Sequence, residues 1–292
     1  MIDADVSEAL AFGIGVPAAL SSAEVRRLSM PFALEMRDVS FSYGRVRVLE
    51  GFDLRVTAGV LMGVVGPNGS GKSTVLKLAA GLATPSRGEI LLRDGAVAVG
   101  SMSARERALQ VSYLPQRMPM PNMTVGELVL CGRHAHRRFL APYDALDIRA
   151  AGEAMERAGV SALEDRQVRE LSGGQRQRAY LAMLLAQDAR LMLLDEPTSA
   201  LDIGAAHDAL ALLRRVVHDD GCTAIAVLHD LDVALRYCDE IAVMERGSLT
   251  YLGPAAEVSE SPQLEDAFGI RLASHRAFGE RCYTFHPRPA RS

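Results

Sequence analysis

The segment from Gly66 to Thr74 carries the residue types that bind the phosphates of a nucleotide. It reads Gly66, Pro67, Asn68, Gly69, Ser70, Gly71, Lys72, Ser73 and Thr74. Its glycines allow the backbone to curl with the N–H groups directed inward, and Lys72 can reach the outer phosphates. Ser73 is placed to bind Mg²⁺. The segment therefore predicts a phosphate-binding loop.

Two adjacent carboxylates, Asp195 and Glu196, follow an apolar run at residues 190–194. We expect Asp195 to bind Mg²⁺, directly or through water, as the acidic partner of Ser73. We expect Glu196 to point the other way from the pleat of the strand and to polarise an attacking water molecule. His229 ends a third apolar run, and ligands lie at the carboxyl ends of strands in a parallel sheet.

A second anion-binding motif lies farther along the chain and consists of Ser172, Gly173, Gly174 and Gln175. Its serine and glutamine fit a capping box that opens an amphipathic helix from Arg176 to Gln187, and its glycines leave the first amides uncovered. Because residues 66–74 already form one phosphate site, this helix end needs a second phosphate. The motif predicts a two-fold dimer in which each phosphate loop faces the partner's Ser172 helix end.

Hydrophobic periodicity indicates the elements that hold the phosphate loop. Residues 60–65 predict a buried strand before the loop, and Ser73 to Leu82 predict an amphipathic helix after it. Residues from Ala33 to Val56 alternate as antiparallel strands and carry Tyr43 at a turn. The loop is therefore predicted to connect a strand of a parallel sheet to a helix.

A helical lobe is predicted between the phosphate loop and Asp195, over about residues 117–188. Thr124 and Glu127 form a capping box at the start of one helix, and residues 144–158 are charged and periodic enough for another. From Pro254 onward the sequence predicts a helix near Glu265 and a final strand near residues 281–285.

Composition sets limits on function. The chain has 292 residues, of which 49% are hydrophobic and 23% charged, so it can bury an ample core. A net charge of −4 without a concentrated basic stripe argues against nucleic acid as the main partner. No apolar run reaches the roughly 18 residues needed to span a bilayer, so any transport path is expected in another polypeptide. The four cysteines lack metal-ligand spacing and predict reduced thiols in a cytoplasmic protein.

In their order along the chain, these motifs resemble the ATP-binding subunit of an ATP-binding-cassette (ABC) transporter, over about residues 32–258. Tyr43 lies where the family stacks adenine on an aromatic ring. Gln116 lies where the family's glutamine links Mg²⁺ and water to the membrane subunit. Asp202, in the segment 199–202, resembles the loop by which each subunit senses the other's site. His229 resembles the switch histidine that contacts the γ-phosphate.

The resemblance implies an α/β fold of the P-loop NTPase class, with a parallel-sheet core, an antiparallel β subdomain and an α-helical subdomain. It implies an ATPase that uses ATP and Mg²⁺, with Glu196, His229 and Gln116 in catalysis and Ser73, Gln116 and Asp195 at the metal. It further implies a homodimer in which residues 172–175 and Asp202 contact the partner's ATP. Transmembrane permease subunits and, indirectly, a substrate-binding protein would complete the assembly, with this subunit peripheral on the cytoplasmic face of the inner membrane.

Three further segments are similar to importers of iron chelates, haem and cobalamin, with the ferric-siderophore group closest. They are residues 123–136, 171–177 and 227–232. The basic residues in and after the first segment are expected to form an ordinary solvated loop rather than to bind a partner or metal; they are Arg133, His134, His136, Arg137 and Arg138. Alternatives are an exporter or another substrate, a soluble family member in translation or DNA maintenance, and a regulatory protein that binds nucleotide without turnover.

Residues 1–30 are interpreted as an extension that precedes an ATPase domain at 31–260 and a C-terminal tail at 261–292. The apolar stretch from Ala9 to Leu20 follows acidic residues and lacks an early positive charge, so it does not fit a signal peptide. The extension could be disordered, a short docking helix or a consequence of start-site choice, because Met30 directly precedes the first predicted strand.

Overall fold

The computed structural model describes residues 31–93, 95–137, 141–199, 201–277 and 279–288. The expectations for residues 1–30, Arg138 and Ala200 therefore lie outside the described residues. The strands are β1 (Phe32–Tyr43), β2 (Val46–Thr57), β3 (Leu61–Val65), β4 (Arg87–Leu92), β5 (Val97–Ala98), β6 (Val111–Leu114), β7 (Leu191–Asp195), β8 (Thr223–Val227), β9 (Glu240–Glu245), β10 (Ser248–Pro254), β11 (Ile270–Ala277) and β12 (Glu280–Pro287). The α-helices are α1 (Lys72–Ala79), α2 (Ala104–Ala108), α3 (Val125–Cys131), α4 (Ala145–Arg157), α5 (Gly173–Gln187), α6 (Ile203–Asp220), α7 (Leu231–Tyr237), α8 (Ala255–Val258) and α9 (Pro262–Phe268).

The central sheet has the strand order β10-β9-β3-β8-β7-β6. Neighbouring strands from β9 to β6 run parallel, and only β10 joins antiparallel to β9. All residues of β3, β7 and β8 are buried, as expected for parallel strands covered on both faces. Their carboxyl ends lead into the phosphate loop, into Glu196 and toward His229, so the parallel sheet gathers the three predicted groups at one edge.

A smaller antiparallel sheet, in the order β2-β1-β4-β5, covers one face of the core. The turn between β1 and β2 follows Tyr43, as the alternating pattern predicts. The buried side chains form two clusters, one toward α3, α4, α5 and α6 and the other toward the antiparallel sheet and α1. Successive residues Leu193 and Leu194 fall in different clusters because side chains alternate along the strand. The predicted α/β class is confirmed.

The helical segment between β6 and β7 contains α3, α4 and α5, which pack against one another. Both predicted capping boxes form: Thr124 with Glu127 begins α3, and Ser172 with Gln175 begins α5. The predicted start of α5 at Arg176 is wrong, since its helical turns begin at Gly173, immediately after the capping serine. The helix after the phosphate loop ends at Ala79 rather than at Leu82, because Gly81 adopts a left-handed backbone conformation.

The tail contains α8, α9 and a two-stranded antiparallel sheet of β11 and β12. The predicted helix near Glu265 and the final strand near residues 281–285 are present as α9 and β12. The strand β11 was not predicted. One face of this hairpin packs Leu272, Tyr283 and Phe285 against the main core. Within the described part of the chain, no helix has the length and apolar character needed to cross a membrane.

Candidate functional site

The phosphate loop wraps around the start of α1 in a conformation that needs glycine at its narrowest point. Gly66 has φ of 152°, and a Cβ there would lie 2.1 Å from the carbonyl oxygen of Met244. Gly71 has φ of 100° and immediately precedes the first turn of α1. The loop is therefore held against β9 by its own backbone, with the helix N-terminus below it.

Lys72 is buried at the centre of the loop. Its Nζ donates hydrogen bonds to the carbonyl oxygens of Gly66 at 2.8 Å and Pro67 at 2.9 Å. An ammonium group has three donors, so one remains for a ligand phosphate. Burial lowers the pKa of the Lys72 ammonium, and the negative charges of Glu196 and Asp195 oppose that shift.

Ser70 supplies a second sign that the loop is built for an anion. Its side-chain oxygen is buried and has no hydrogen-bond partner among the residues that the structure describes. A buried hydroxyl without a partner costs free energy, which a phosphate oxygen in the loop would recover. The loop therefore combines one remaining ammonium donor, one unsatisfied hydroxyl and a helix N-terminus, all of which fit a phosphate group.

Asp195 lies at the end of β7, next to Ser73 on α1. The hydroxyl of Ser73 donates to Oδ1 of Asp195 at 2.8 Å, and the hydroxyl of Tyr113 donates to Oδ2 at 3.4 Å. Burial raises the pKa of the Asp195 carboxyl, and the hydrogen bond from Ser73 opposes the rise. Burial and the nearby Asp195 charge raise the pKa of Tyr113 to about 12. Sequence reasoning did not single out Tyr113, whose only signal was its position shortly before Gln116.

These groups fit Mg²⁺. The Ser73 hydroxyl, the Asp195 carboxylate and the Gln116 amide offer oxygen ligands, which Mg²⁺ prefers, and the ion usually completes its shell with water and substrate phosphates. No group of three or more His, Cys, Asp and Glu side chains in the described ranges is arranged to hold a metal without such help. The residues therefore suit a metal ion that arrives with a nucleotide.

Glu196 sits between Gln116 and His229. The amide Nε2 of Gln116 donates to Oε2 of Glu196 at 2.6 Å, and Nε2 of His229 lies 2.6 Å from Oε1. Glu196 follows the end of β7 and has φ of 54°. Because Glu196 lies beyond the strand with a left-handed backbone, the alternation of strand side chains on which the prediction relied does not set its direction. The result is a carboxylate whose two oxygens are each held by a neighbouring side chain, which fixes its orientation.

Tyr43 stands at the end of β1 with 49% of its surface exposed. Its ring packs edge-on against Phe41, with centroids 4.8 Å apart. This contact fixes one edge of the ring while a large part of its surface remains accessible to solvent. An exposed aromatic ring held in this way can stack on a flat base, as the resemblance implies.

At the start of α5, the capping residues bond to each other. Ser172 accepts a hydrogen bond from the Gln175 backbone, and the Gln175 side chain accepts one from the Ser172 backbone. A Cβ at Gly174 would lie 3.6 Å from Cβ of Ala205, which is itself bonded to Asp202 through its backbone N–H at 2.8 Å. The two predicted partner-facing ends, of α5 and α6, therefore lie side by side. No hydrogen bond or ion pair among the described residues joins them to the phosphate loop.

The expectation of a solvated basic loop is wrong for Arg133 and His136, and Arg137 also packs over the ring of Tyr143 at 4.1 Å. Arg133 forms an ion pair with Asp147 at 3.2 Å and donates to the carbonyl of Ala186 at 2.8 Å. His136 Nε2 lies 2.8 Å from the carbonyl oxygen of Gln187. Both side chains bind the last carbonyl groups of α5, which lack partners within the helix. Both residues hold the loop to the end of α5. The charge pattern of the sequence alone could not distinguish this structural role from solvation.

A cavity of about 760 Å³ lies at the other ends of the central strands. Pro31, Leu191 and Thr223 are among the residues that line it. Leu191 and Thr223 are the first residues of β7 and β8, whereas the predicted site residues follow the last. None of the predicted site residues lines this cavity. The predicted site residues therefore lie apart from this cavity.

The sequence is similar to known ATP-binding subunits of ABC transporters. The sequence matches the family described as ABC transporter over residues 49–199. The ferric enterobactin transport ATP-binding protein FepC of Escherichia coli is 37% identical over 239 residues, covering 82% of this chain and 88% of that protein. The hemin import ATP-binding protein HmuV of Bradyrhizobium diazoefficiens is 36% identical over 259 residues, covering 86% and 93%. The cobalamin import ATP-binding protein BtuD of Halobacterium salinarum is 35% identical over 261 residues, covering 89% and 64%.

Solved structures share the same architecture. A transporter assigned to the metal-chelate type, in an inward-facing conformation, superposes with a TM-score of 0.77 at 25% identity over 89% of this chain and 98% of that one. A dimeric ATP-binding cassette in a post-hydrolysis state, with ADP and Pi bound, superposes with a TM-score of 0.67 at 25% identity over 76% of this chain and 98% of that one.

Proposed function

The chain belongs to the ABC transporter family, and from this premise we propose that it is the ATP-hydrolysing subunit of a membrane importer for iron chelates. The family assignment supports ATP as the nucleotide. The observation that carries the catalytic part is Glu196, bonded to Gln116 and His229 at 2.6 Å each, at the sheet edge that also carries the phosphate loop. The relatives' names support the transport part.

Lys72, Ser70 and the first amides of α1 bind the β- and γ-phosphates of ATP in this proposal, and Tyr43 stacks on adenine. Glu196 accepts the proton of a water molecule, and the oxygen attacks the γ-phosphorus while the bond to ADP breaks. Gln116 and His229 hold the two carboxylate oxygens of Glu196 so that it faces this water. When bound at Ser73, Asp195 and Gln116, Mg²⁺ would supply positive charge to the phosphate oxygens.

A second copy of the chain completes each site in the proposed dimer. Ser172–Gln175 and Asp202 of one copy would bind the γ-phosphate side of the ATP held by its partner. The adjacency of the α5 and α6 ends supports this assignment, because one surface then presents both to the partner. Two ATP molecules would be enclosed at the seam.

Permease subunits would receive the resulting motion through the neighbourhood of Gln116, which connects the base Glu196 to the helical segment that follows it. The subunit would be peripheral, on the cytoplasmic face of the inner membrane, and a substrate-binding protein would deliver the cargo to the permease. The chelate itself would not contact this chain.

Ferric siderophore is the first candidate cargo, haem the second and cobalamin the third. The order follows the resemblance of residues 123–136 and 227–232. Relatives named for ferric enterobactin transport, hemin import and cobalamin import support the group as a whole. Large, rigid metal chelates are the property these cargoes share.

A strain that lacks this subunit tests the cargo. In iron-starved medium it should lose uptake of a ferric siderophore, wild-type protein should restore uptake, and the Glu196→Gln variant should not. Loss of only haem or only cobalamin uptake would reassign the cargo within the group. Normal uptake of all three, with a defect in sugar, amino acid or phosphate import, would contradict the proposed substrate class.

A further inference from the structure

Asp195 is a buried carboxylate, 3% exposed, and each of its two oxygens receives a different hydroxyl group. Ser73 donates to Oδ1 at 2.8 Å and Tyr113 to Oδ2 at 3.4 Å. A buried carboxylate is costly unless hydrogen-bond donors meet it. With one donor on each oxygen, rotation of the carboxylate about its Cβ–Cγ bond is restricted.

The sheet register brings Tyr113 to this position. Tyr113 on β6 pairs with Leu193 on β7, and Asp195 is two residues beyond Leu193, on the same face of the sheet. The Tyr113 ring packs with the cluster that contains Leu193 and the α1 side chains. The hydroxyl is therefore delivered by a strand and a packed ring, which is more rigid than delivery by a loop.

We propose that Tyr113 is a positioning residue for the metal site: its hydroxyl fixes Oδ2 of Asp195 so that Oδ1 stays beside Ser73. This inference rests on the proposed function, because it requires the Mg²⁺ that accompanies ATP. Partners that orient a ligating carboxylate typically change metal affinity by about 10- to 100-fold. The contact to Tyr113 is longer than the usual O–H···O distance, so we expect about a three- to tenfold effect.

The test measures metal binding rather than turnover. In the Glu196→Gln background, which prevents hydrolysis, Mn²⁺ is titrated into the ATP-loaded protein and free Mn²⁺ is followed by electron paramagnetic resonance. Tyr113→Phe removes the hydroxyl and keeps the ring. The matched control is Tyr180→Phe, because the buried Tyr180 also donates its hydroxyl, to the carbonyl of Pro119 at 2.8 Å, but lies in α5. Affinity for ATP is measured separately in EDTA.

Tyr113→Phe should raise the Mn²⁺ dissociation constant about three- to tenfold and leave ATP affinity in EDTA within twofold. A general packing defect would instead lower both affinities together. Tyr180→Phe should change neither quantity. An unchanged Mn²⁺ affinity in Tyr113→Phe, or an equal loss of ATP affinity in EDTA, would overturn the inference. Failure of the Tyr113-containing parent to bind ATP at all would instead overturn the proposed function.

Discussion

The N-terminal ends of α1 and α5 are both shaped to attract an anion, yet they differ in what surrounds them. At α1, the loop supplies a buried lysine and a buried serine hydroxyl without a hydrogen-bond partner among the described residues, and the end of β7 supplies a carboxylate that a metal ion could share. At α5, the exposed Ser172 and the half-buried Gln175 satisfy each other, and no cation or acid of the described chain is bonded to them. We therefore propose that the first end binds the phosphates and that the second is a surface that completes the site of another chain.

In the proposed dimer, this difference means that one chain carries all the motifs but forms only part of each active site. In the proposed mechanism, Lys72 binds the phosphate and Glu196 activates the attacking water, and both residues lie at the α1 end of the site. The N-terminal end of α5, with the neighbouring Asp202, adds the groups that would reach the ATP of the partner chain. The comparison predicts that damage at α1 abolishes chemistry within each chain, whereas damage at α5 acts only on the joining of two chains.

Lys72→Ala should have the largest effect. It removes the ammonium that is held by the loop carbonyls and faces the phosphates, so the ATP hydrolysis rate should fall by about 10³-fold. A phosphate-release assay on purified protein measures it. Lys77→Ala is the matched control, since Lys77 lies in the same helix and is the only other lysine; it should retain most activity. Undiminished hydrolysis in Lys72→Ala would contradict the role of the loop.

Glu196→Gln should lower the hydrolysis rate by about 10²-fold or more, because an amide cannot accept the proton of the attacking water. ATP binding should persist, since Lys72, Ser73 and Asp195 are unchanged. Two chains should therefore remain closed around ATP and elute as a dimer in gel filtration. Normal hydrolysis by this variant would assign the base to another residue.

Ser172→Arg, made in the Glu196→Gln background, should prevent the ATP-dependent dimer while leaving ATP binding to each chain within about threefold, because bulk and positive charge replace the open helix end. Ser103→Arg is a matched control: Ser103 forms the same kind of capping box with Glu106 at the start of α2. Its loss should cost about 1 kcal/mol of stability and leave the dimer intact. A dimer that still forms with Ser172→Arg would contradict the assignment of α5.

Arg133→Ala should have a smaller effect, confined to stability. Arg133 joins α4 to the end of α5 through Asp147 and Ala186, and its side chain is 12% exposed. Removing it leaves the buried Asp147 carboxylate without its cation, so the free energy of unfolding should fall by about 2–4 kcal/mol. Urea unfolding measures this. Arg149→Ala, in the exposed pair with Glu153, should change it by less than about 0.5 kcal/mol; equal effects would show that Arg133 is solvated.

Local signals in the sequence were sufficient to predict the phosphate loop, the buried strands and both capping boxes. Glycine placement, apolar runs and the three-residue spacing of a capping box act over a few residues. The remainder depends on contacts between distant segments. The orientation of Glu196 follows from a left-handed backbone, and the contact of Tyr113 with Asp195 from the register of β6 on β7. From the sequence alone Arg133 is predicted to be a surface charge, but in the fold it is half-buried against α5 and pairs with Asp147. The strand β11 has a mostly exposed pattern and is defined by its pairing with β12.

A cross-linking measurement tests most directly the claim that each ATP site is shared between two chains. Asn68 is exposed in the phosphate loop. One set of molecules carries Asn68→Cys and a second set carries Ser172→Cys, both with Glu196→Gln and with the exposed Cys131 replaced by serine. The two are mixed and treated with a short thiol cross-linker. A covalent dimer should form in the mixture only with ATP, and neither variant alone should give it. No dimer with ATP, or equal dimer without it, would contradict the account.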